Sequence, residues 1–254
     1  MNLLRWPGGK SRGAHKIIDY ISNENKVCVS PFFGGGSVEL LLKTHGWKIY
    51  ACDASHSLIC FWNYVKNDPI ELKKEVQKFM PLTKLEFREI QNKLINNEVD
   101  KIDNIFTAAY FYILNRSSFS GTTLSGGMSP GFPRFNQKSI DKLIKFSNYL
   151  NDISFECADF QKTILKYPNS FLFCDPPYWL AKEKSNLYGI NGNLHRFFDN
   201  QKLYELLDCR QNWLLCYNDC SAIRNLYQKY EIISLSWKYG LGNNKESSEI
   251  LIRN

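Results

Sequence analysis

One continuous stretch, from residue 27 to residue 53, restricts the fold more than any other part of the chain. It begins with the short apolar run "VCVS", turns at "PFFGGGS" and continues into "SVELLLKTH", which has helical character. A second apolar run, "WKIYACD", follows and ends in Asp53. The order strand, glycine-rich turn, helix, strand and acid is typical of the opening of a doubly wound α/β sheet. We therefore predict an α/β fold with a mostly parallel sheet.

The same alternation of strands and helices returns after residue 151. Five further apolar runs predict strands, and they read "ISFEC", "SFLFC", "WLLCYN", "EIISLS" and "EILIRN". The last two are joined by the polar stretch 237–248, which predicts a closing antiparallel hairpin. Together with the first two, these runs predict seven strands, of which the final one is antiparallel.

Residues 61–150 differ in sequence pattern and composition from the two flanking regions. Helical patterns such as "PIELKKEVQKFM" and "KIDNIFTAAYFYILNRSSF" surround a stretch rich in Gly, Ser, Thr and Pro, "SGTTLSGGMSPGFPRF". We predict that residues 61–150 form a mainly helical subdomain inserted into a domain made of residues 1–60 and 151–254. The stretch at its tip is interpreted as a loop or hairpin, either a connector or a binding element.

Charge and cysteine content restrict the partners of the chain. The net charge of +7 suits a polyanionic partner, because Lys and Arg release counterions from phosphates. Eight cysteines without a CxxC pair, together with four histidines, predict reduced thiols in the cytoplasm and no zinc site. The first ten residues lack the apolar region of a signal peptide, and we expect no membrane span.

Four strand ends carry groups that can bind a ligand. Loops after parallel strands converge at one edge of the sheet, so Gly34, Asp53, Asp159 and Asp175 are expected to line one crevice. Glycine lets a ligand approach the backbone closely, and Asp53 lies 19 residues after Gly34, near the spacing of a ribose-binding acid. A tight turn and solvated acids without a ligand are the plain alternative. The combination of a glycine turn and three acids at one edge of the sheet favours a nucleoside site.

The motif "DPPY" at residues 175–178 predicts the chemistry. An amine conjugated to a heteroaromatic ring becomes a better nucleophile when the Asp175 carboxylate and a backbone carbonyl accept its two N–H groups. Pro176 and Pro177 have a locked φ and fix the direction of that carbonyl. The ring of Tyr178 can stack on a base that has been flipped out of a duplex. We interpret the motif as a clamp for a planar amine.

These motifs, in the order "RWPGGK" (5–10), "PFFGGGS" (31–37), Asp53 and "DPPY", resemble the alpha group of adenine-specific DNA methyltransferases, the DNA adenine methylase type. The similarity covers nearly the whole chain, and the order of the motifs is its specific part. It implies a Rossmann-like methyltransferase sheet, S-adenosylmethionine as cofactor and double-stranded DNA as partner. No metal is implied.

The resemblance also implies roles for individual residues. Asp175 to Tyr178 match the catalytic motif, and Asp175 also lies near the cofactor. Lys10 is expected to meet the methionine carboxylate, and Trp6 to pack against the cofactor. The remaining expected cofactor contacts are Phe33, Gly34 and Gly36 at the turn, Asp53 at the ribose and Asp159 on the adenine side.

The segment 114–135 resembles the recognition segment of phage-type members and departs from that of the branch that methylates GATC. Arg116 and Arg134 are the candidates for phosphate or guanine contacts, with solvated surface arginines as the alternative. Two other functions are open to such a chain: methylation of another planar amine (cytosine, RNA adenine or protein glutamine), or DNA binding without catalysis. A cognate restriction endonuclease is a candidate partner.

Overall fold

A single mixed sheet of seven strands organises the molecule. The computed structural model describes residues 2–22, 26–130, 134–179, 187–238 and 246–254. The strands are β1 (Val27–Ser30), β2 (Lys48–Asp53), β3 (Ile153–Cys157), β4 (Phe171–Cys174), β5 (Trp213–Asn218), β6 (Glu231–Lys238) and β7 (Glu246–Arg253). Their order across the sheet is β3-β2-β1-β4-β5-β7-β6.

Five neighbouring strands, from β3 to β5, run parallel, whereas β7 lies antiparallel between β5 and β6. The carboxyl ends of β1, β2 and β4 therefore meet at one edge, as parallel strands require. The predicted Rossmann-like sheet, with its seven strands and antiparallel final strand, is confirmed.

Helices cover both faces of this sheet and fill the segment between β2 and β3. The helices are α1 (Ala14–Ile18), α2 (Ser37–Thr44), α3 (His56–Asn67), α4 (Pro69–Gln77), α5 (Lys84–Val99), α6 (Ile105–Ser117), α7 (Gln137–Ile140), α8 (Lys142–Ser147), α9 (Phe160–Lys166), α10 (Asn193–Arg196), α11 (Asn200–Asp208) and α12 (Ser221–Leu226). None of the helices within the described ranges is long and apolar enough to cross a membrane.

Helix starts follow the local sequence. Thr83 and Glu86 form a capping box at α5, in which each side chain binds the backbone N–H of the other residue. Asn104 accepts from the Thr107 N–H and caps α6. Helix α6 is apolar on nearly all sides, so it packs as a buried helix against α3, α4 and α5.

Aromatic rings join the helical segment to the sheet. The ring of Trp62 in α3 stacks on Phe155 of β3 with centroids 5.8 Å apart, and Phe33 of the glycine turn meets both rings edge-on. Beside it in α3, Phe61 stacks on Tyr112 of α6 at 5.5 Å. Helix α3 crosses residue 60, so the proposed start of the insert falls inside a helix whose core is shared with the sheet.

A carboxylate from the insert also fixes the start of α3. Glu98 is buried and accepts hydrogen bonds from the backbone N–H groups of His56 (2.9 Å) and Ser57 (2.6 Å). Negative charge at this position is favourable, because the first N–H groups of a helix have no partner within it. Helix α5 thereby supports the turn that directly follows Asp53.

The stretch between α6 and α7 closes into a short hairpin. Ser118 and Met128 form an antiparallel bridge, and Ser129 N–H donates to the Ser117 carbonyl at 2.8 Å. Gln91 of α5 holds the turn, since its Nε2 donates to the carbonyls of Thr123 (2.9 Å) and Gly126 (2.8 Å). Because these residues lie in the segment predicted from the sequence to read DNA, we call residues 117–129 the recognition hairpin.

Candidate active site

The segment after Arg5 packs against the glycine turn. Gly34 has φ +49°, and a Cβ built there would lie 2.4 Å from Trp6 Nε1. The turn therefore needs glycine both for its backbone conformation and for the approach of the indole ring. Tyr188 stacks on the same indole with ring centroids 5.8 Å apart.

Asp53 is held at the end of β2 by backbone donors. One carboxylate oxygen accepts from Gly34 N at 2.9 Å and the other from Ser55 N at 3.0 Å. Burial raises the pKa of Asp53 to about 6, although these hydrogen bonds lower it. The contact joins the acid directly to the glycine turn, and its remaining lone pairs are acceptors for a ligand.

Lys10 and Asp175 form an ion pair at the end of β4, in which Lys10 is buried and Asp175 is half-buried. Lys10 Nζ lies 2.7 Å from Asp175 Oδ1 and 2.9 Å from Oδ2, and it also donates to the Gly8 carbonyl at 2.7 Å. Burial raises the pKa of Asp175 to about 6, and the charge of Lys10 acts against that rise. Burial alone would lower the pKa of Lys10, but Asp175, Cys216 and Glu249 together raise it. Lys10 is therefore a fixed cation beside the predicted catalytic acid.

The residues after Asp175 are held by side-chain contacts. The half-buried Tyr178 ring stacks on Tyr217 at 5.9 Å, and the Lys10 ammonium lies 4.8 Å from its centroid. His195 Nε2 contacts the Tyr178 carbonyl at 2.8 Å, and Asn218 Nδ2 donates to the Trp179 carbonyl at 3.1 Å. Two consecutive carbonyls after the prolines thus have fixed directions.

One cavity of about 310 Å³ connects these groups. Its size lies at the lower end of the range of small-molecule sites. Of residues 175–178, Asp175 and Pro177 line it, Pro176 is buried and Tyr178 is half-buried. The cavity is lined by every residue predicted to bind the cofactor: Trp6, Lys10, Phe33, Gly34, Gly36, Asp53, Asp159 and Asp175.

The walls of the cavity suit a nucleoside. Phe32, Phe160 and Phe198 contact one another with ring centroids 5.2–5.7 Å apart, and all three line the cavity. Asp159 is half-exposed at this end and caps α9 by accepting from Lys162 N at 2.9 Å. Within the described part of the chain, no group of three or more His, Cys, Asp or Glu side chains is arranged to hold a metal ion.

Three arginines gather at the recognition hairpin. Arg116 donates through Nε (3.1 Å) and a terminal nitrogen (3.0 Å) to the Arg134 carbonyl, and Arg5 donates to the Ser118 carbonyl at 2.9 Å. Burial lowers the pKa of Arg5, and the charges of Arg134 and Arg116 lower it further. The repulsion between these like charges is reduced when the arginines bind a polyanion. The sequence predicted Arg116 and Arg134 here but gave no DNA contact to Arg5, the first residue of the motif "RWPGGK".

Asn115 joins this cluster to the cavity. Its buried side-chain oxygen accepts from Arg5 N at 2.9 Å, and its Nδ2 donates to the Arg5 carbonyl at 2.8 Å. Gly121 of the recognition hairpin has φ +78°, and a Cβ there would lie 2.1 Å from the same carbonyl. The hairpin therefore packs directly on the main chain that leads to Trp6 and Lys10.

The strand order, the glycine turn with its carboxylate, and the acid beside the same cavity define a methyltransferase-type α/β enzyme. The family model for D12 class N6 adenine-specific DNA methyltransferases matches residues 6–241. The chain belongs to this family. The resemblance seen in the motif order is thereby confirmed, and so is the enzyme class.

Individual relatives agree with this assignment. The DNA adenine methylase of Vibrio cholerae is 25% identical over 237 residues, which cover 89% of this chain and 84% of that protein. A DNA N-6-adenine-methyltransferase of Escherichia phage P1 is 25% identical over 81% of this chain, which spans 28% of the phage protein. The type II methyltransferase M.CviBI of Paramecium bursaria Chlorella virus NC1A is 22% identical over 69% of this chain and 68% of its own length.

Proposed function

We propose that this member of the family transfers a methyl group from S-adenosylmethionine to the exocyclic 6-amino group of adenine at specific sites in double-stranded DNA. The observation that carries the proposal is the single cavity that runs from the glycine turn and Asp53 to Asp175, with Gly121 and Leu124 of the recognition hairpin on its wall. Cofactor, target base and reading element would thus meet in one place. The reduced thiols predicted from the sequence fit action on DNA in the cytoplasm.

The residues present fit the cofactor. Asp53 would accept from the ribose hydroxyls, the Phe32–Phe160–Phe198 aromatic wall and Asp159 would flank the adenine, and Trp6 would pack against the bound molecule. When bound, S-adenosylmethionine supplies a methyl group on a positively charged sulfur. Lys10 already donates to Gly8 and Asp175, so its contribution here is to hold the acid. Its contact with the methionine carboxylate stays a prediction.

The Asp175 carboxylate would accept one N–H group of the target amine. A backbone carbonyl of the motif, whose direction Pro176 and Pro177 fix, would accept the other. An amine held in this way has its lone pair directed towards the methyl group rather than into the ring. Positioning and preorganised charge would supply much of the rate. The ring of Tyr178 would stack on the flipped base.

Methyl transfer from a labelled donor tests the proposal directly. We expect label in double-stranded DNA and its recovery as N6-methyladenine after digestion to nucleosides. Recovery as methylcytosine, or label in RNA or in protein glutamine, would replace the proposed substrate. No transfer by a folded protein would indicate a DNA-binding relative without catalysis. A cognate restriction endonuclease is a candidate partner, and one relative bears a type II name.

Asp53→Asn is expected to weaken binding of S-adenosylmethionine by roughly ten- to a hundredfold, because a hydrogen bond to a charged group contributes about 1.5–3 kcal/mol. Non-specific DNA binding should not change. Isothermal titration calorimetry measures the affinity for S-adenosylmethionine, and filter binding measures the affinity for non-specific DNA. Asp152→Asn is the matched control, since Asp152 is an exposed acid just before β3. Equal cofactor affinity in both variants would remove Asp53 from the site.

Arg134→Ala is expected to change which sites are methylated if the guanidinium reads guanine, since such a contact discriminates by about 1–3 kcal/mol. If the contact is to phosphate, all sites should weaken alike and the salt slope should fall by about one. Arg116→Ala is a less clean test, because Arg116 also holds the Arg134 carbonyl. Methylation mapping of a whole genome distinguishes the two cases.

Arg253→Ala serves as the control for charge, because Arg253 pairs with Glu231 across β6 and β7. An unchanged site pattern and an unchanged salt slope after removal of both Arg116 and Arg134 would contradict the assignment. Recognition would then fall to the polar stretch 237–248, part of which lies outside the described residues.

A further inference from the structure

Strand β7 brings a second buried carboxylate to the catalytic ion pair. Glu249 is 2% exposed and lies opposite Asn218 of β5 and Leu235 of β6 in the sheet register. A carboxylate this deeply buried needs a compensating charge or hydrogen bonds. Its partners show what it does in the site.

Glu249 contacts the same lysine that holds Asp175. Its Oε2 lies 3.8 Å from Lys10 Nζ and accepts from Cys216 Sγ at 3.4 Å. Lys10 is therefore bounded by two acids from two strands, Asp175 following β4 and Glu249 in β7. One ammonium faces two carboxylates, so the buried group has an excess of negative charge.

The other titratable groups around Asp175 are neutral where Asp175 titrates. Burial raises the pKa of each, to about 8 for Glu39 and to about 12 for Cys174. These groups come from α2, β4, β5 and the catalytic motif, and they are Glu39, Cys174, Tyr178, Cys216 and Tyr217. Among the described residues around Asp175, Lys10 and Glu249 are thus the other ionisable neighbours, and both belong to the same ion-pair cluster.

We propose that Glu249 is a positioning residue of the methyl-transfer site, which holds the Lys10 ammonium from β7 and sets the proton affinity of Asp175. Glu249 acts through Lys10 and through its charge. The two neighbours act in opposite directions on Asp175: the Lys10 charge favours the carboxylate, and the Glu249 charge favours the protonated acid. The role rests on the proposed function of Asp175.

Carbon-13 NMR of protein labelled at the aspartate carboxyls measures this effect without donor or DNA. The Asp175 signal is assigned by its absence in Asp175→Asn. We expect a midpoint near pH 6 in the unsubstituted protein. In Glu249→Gln the midpoint should fall by about one pH unit, since removing a nearby like charge favours the ionised form. The methylation rate should then persist to lower pH by the same interval.

Glu231→Gln is the matched control. It is the same substitution on the neighbouring strand, at an exposed carboxylate that pairs with Arg253 at 2.7 Å. Its Asp175 midpoint should equal that of the unsubstituted protein. A Glu249→Gln protein with an unchanged midpoint would overturn the proposal, and it would leave the proposed function intact if that protein still methylates adenine.

Glu249→Asp keeps the test decisive if the glutamine variant does not fold. It retains the charge but withdraws the carboxylate from Lys10 by one methylene. We expect a lower kcat with unchanged KM for DNA and for S-adenosylmethionine, because Glu249 is not among the residues that line the cavity. A kcat equal to that of the unsubstituted enzyme would contradict a positioning role.

Discussion

Asp175→Asn is expected to slow methyl transfer by about a hundred- to a thousandfold, the usual cost of losing one preorganised partner of the reacting group. The asparagine keeps the size of the side chain but removes the charge that faces the amine and Lys10. Single-turnover kinetics with saturating donor and DNA measure the loss. Asp175→Ala should abolish transfer altogether.

The half-buried position of Asp175, paired with the buried Lys10, requires a control for folding. Breaking a buried pair leaves Lys10 with only the more distant Glu249 carboxylate, so some stability should be lost as well. Asp219→Asn is the matched control, because Asp219 follows the neighbouring strand β5 and pairs with Arg224 at 2.5 Å. Circular dichroism should show folded protein in both variants. Ordinary turnover by Asp175→Asn would refute the mechanism.

Lys10→Met is expected to lower the free energy of unfolding by about 3–5 kcal/mol, since it leaves the buried Glu249 and the half-buried Asp175 without their cation. It should also move the pH dependence of methylation. Because the Lys10 charge lowers the pKa of Asp175, its removal raises that pKa above about 6. A protonated Asp175 cannot accept from the amine through the protonated oxygen. Activity should therefore return only at higher pH, opposite to the shift expected for Glu249→Gln.

Urea unfolding and a pH–rate profile test both parts of this expectation. Lys166→Met is the control, because Lys166 forms an exposed pair with Glu156 at 2.6 Å. Exposed pairs typically contribute about 0–1 kcal/mol, and the acid limb of the profile should not move. Equal stability of the two variants would show that Lys10 does not compensate the buried carboxylates.

Much of the fold could be predicted because its signals are local. Each strand overlaps a short apolar run that the sequence predicts, and most of these runs are bounded by Gly, Pro, Asp or Asn. The position of the cavity could be predicted from a topological rule, because loops after parallel strands meet at one edge of the sheet. This rule alone, without any knowledge of side-chain packing, predicts that Gly34, Asp53 and Asp175 lie close together.

The missed residues depend on contacts between distant parts of the chain. Asn115 meets Arg5 across 110 positions, and no spacing rule predicts that pairing. Glu249 begins the apolar run "EILI" and looked like the polar start of a strand. Only the insertion of β7 between β5 and β6 places its carboxylate beside Lys10. The sequence predicts that the strands exist, but it does not predict their order across the sheet. The position of Glu249 depends on that order.

The contact between Asn115 and Arg5 has a consequence for protein engineering. Asn115 binds the main-chain N–H and carbonyl of Arg5, and Gly121 packs on that same carbonyl. The joint between the hairpin and the N-terminal motif therefore depends on the residues at positions 115 and 121, and the Arg5 guanidinium adds a hydrogen bond to the Ser118 carbonyl. A chimera that receives residues 115–129 from a relative with another target should assemble when the donor supplies asparagine at position 115 and glycine at position 121. Arginine should be kept at position 5, because its side chain donates to the Ser118 carbonyl of the hairpin.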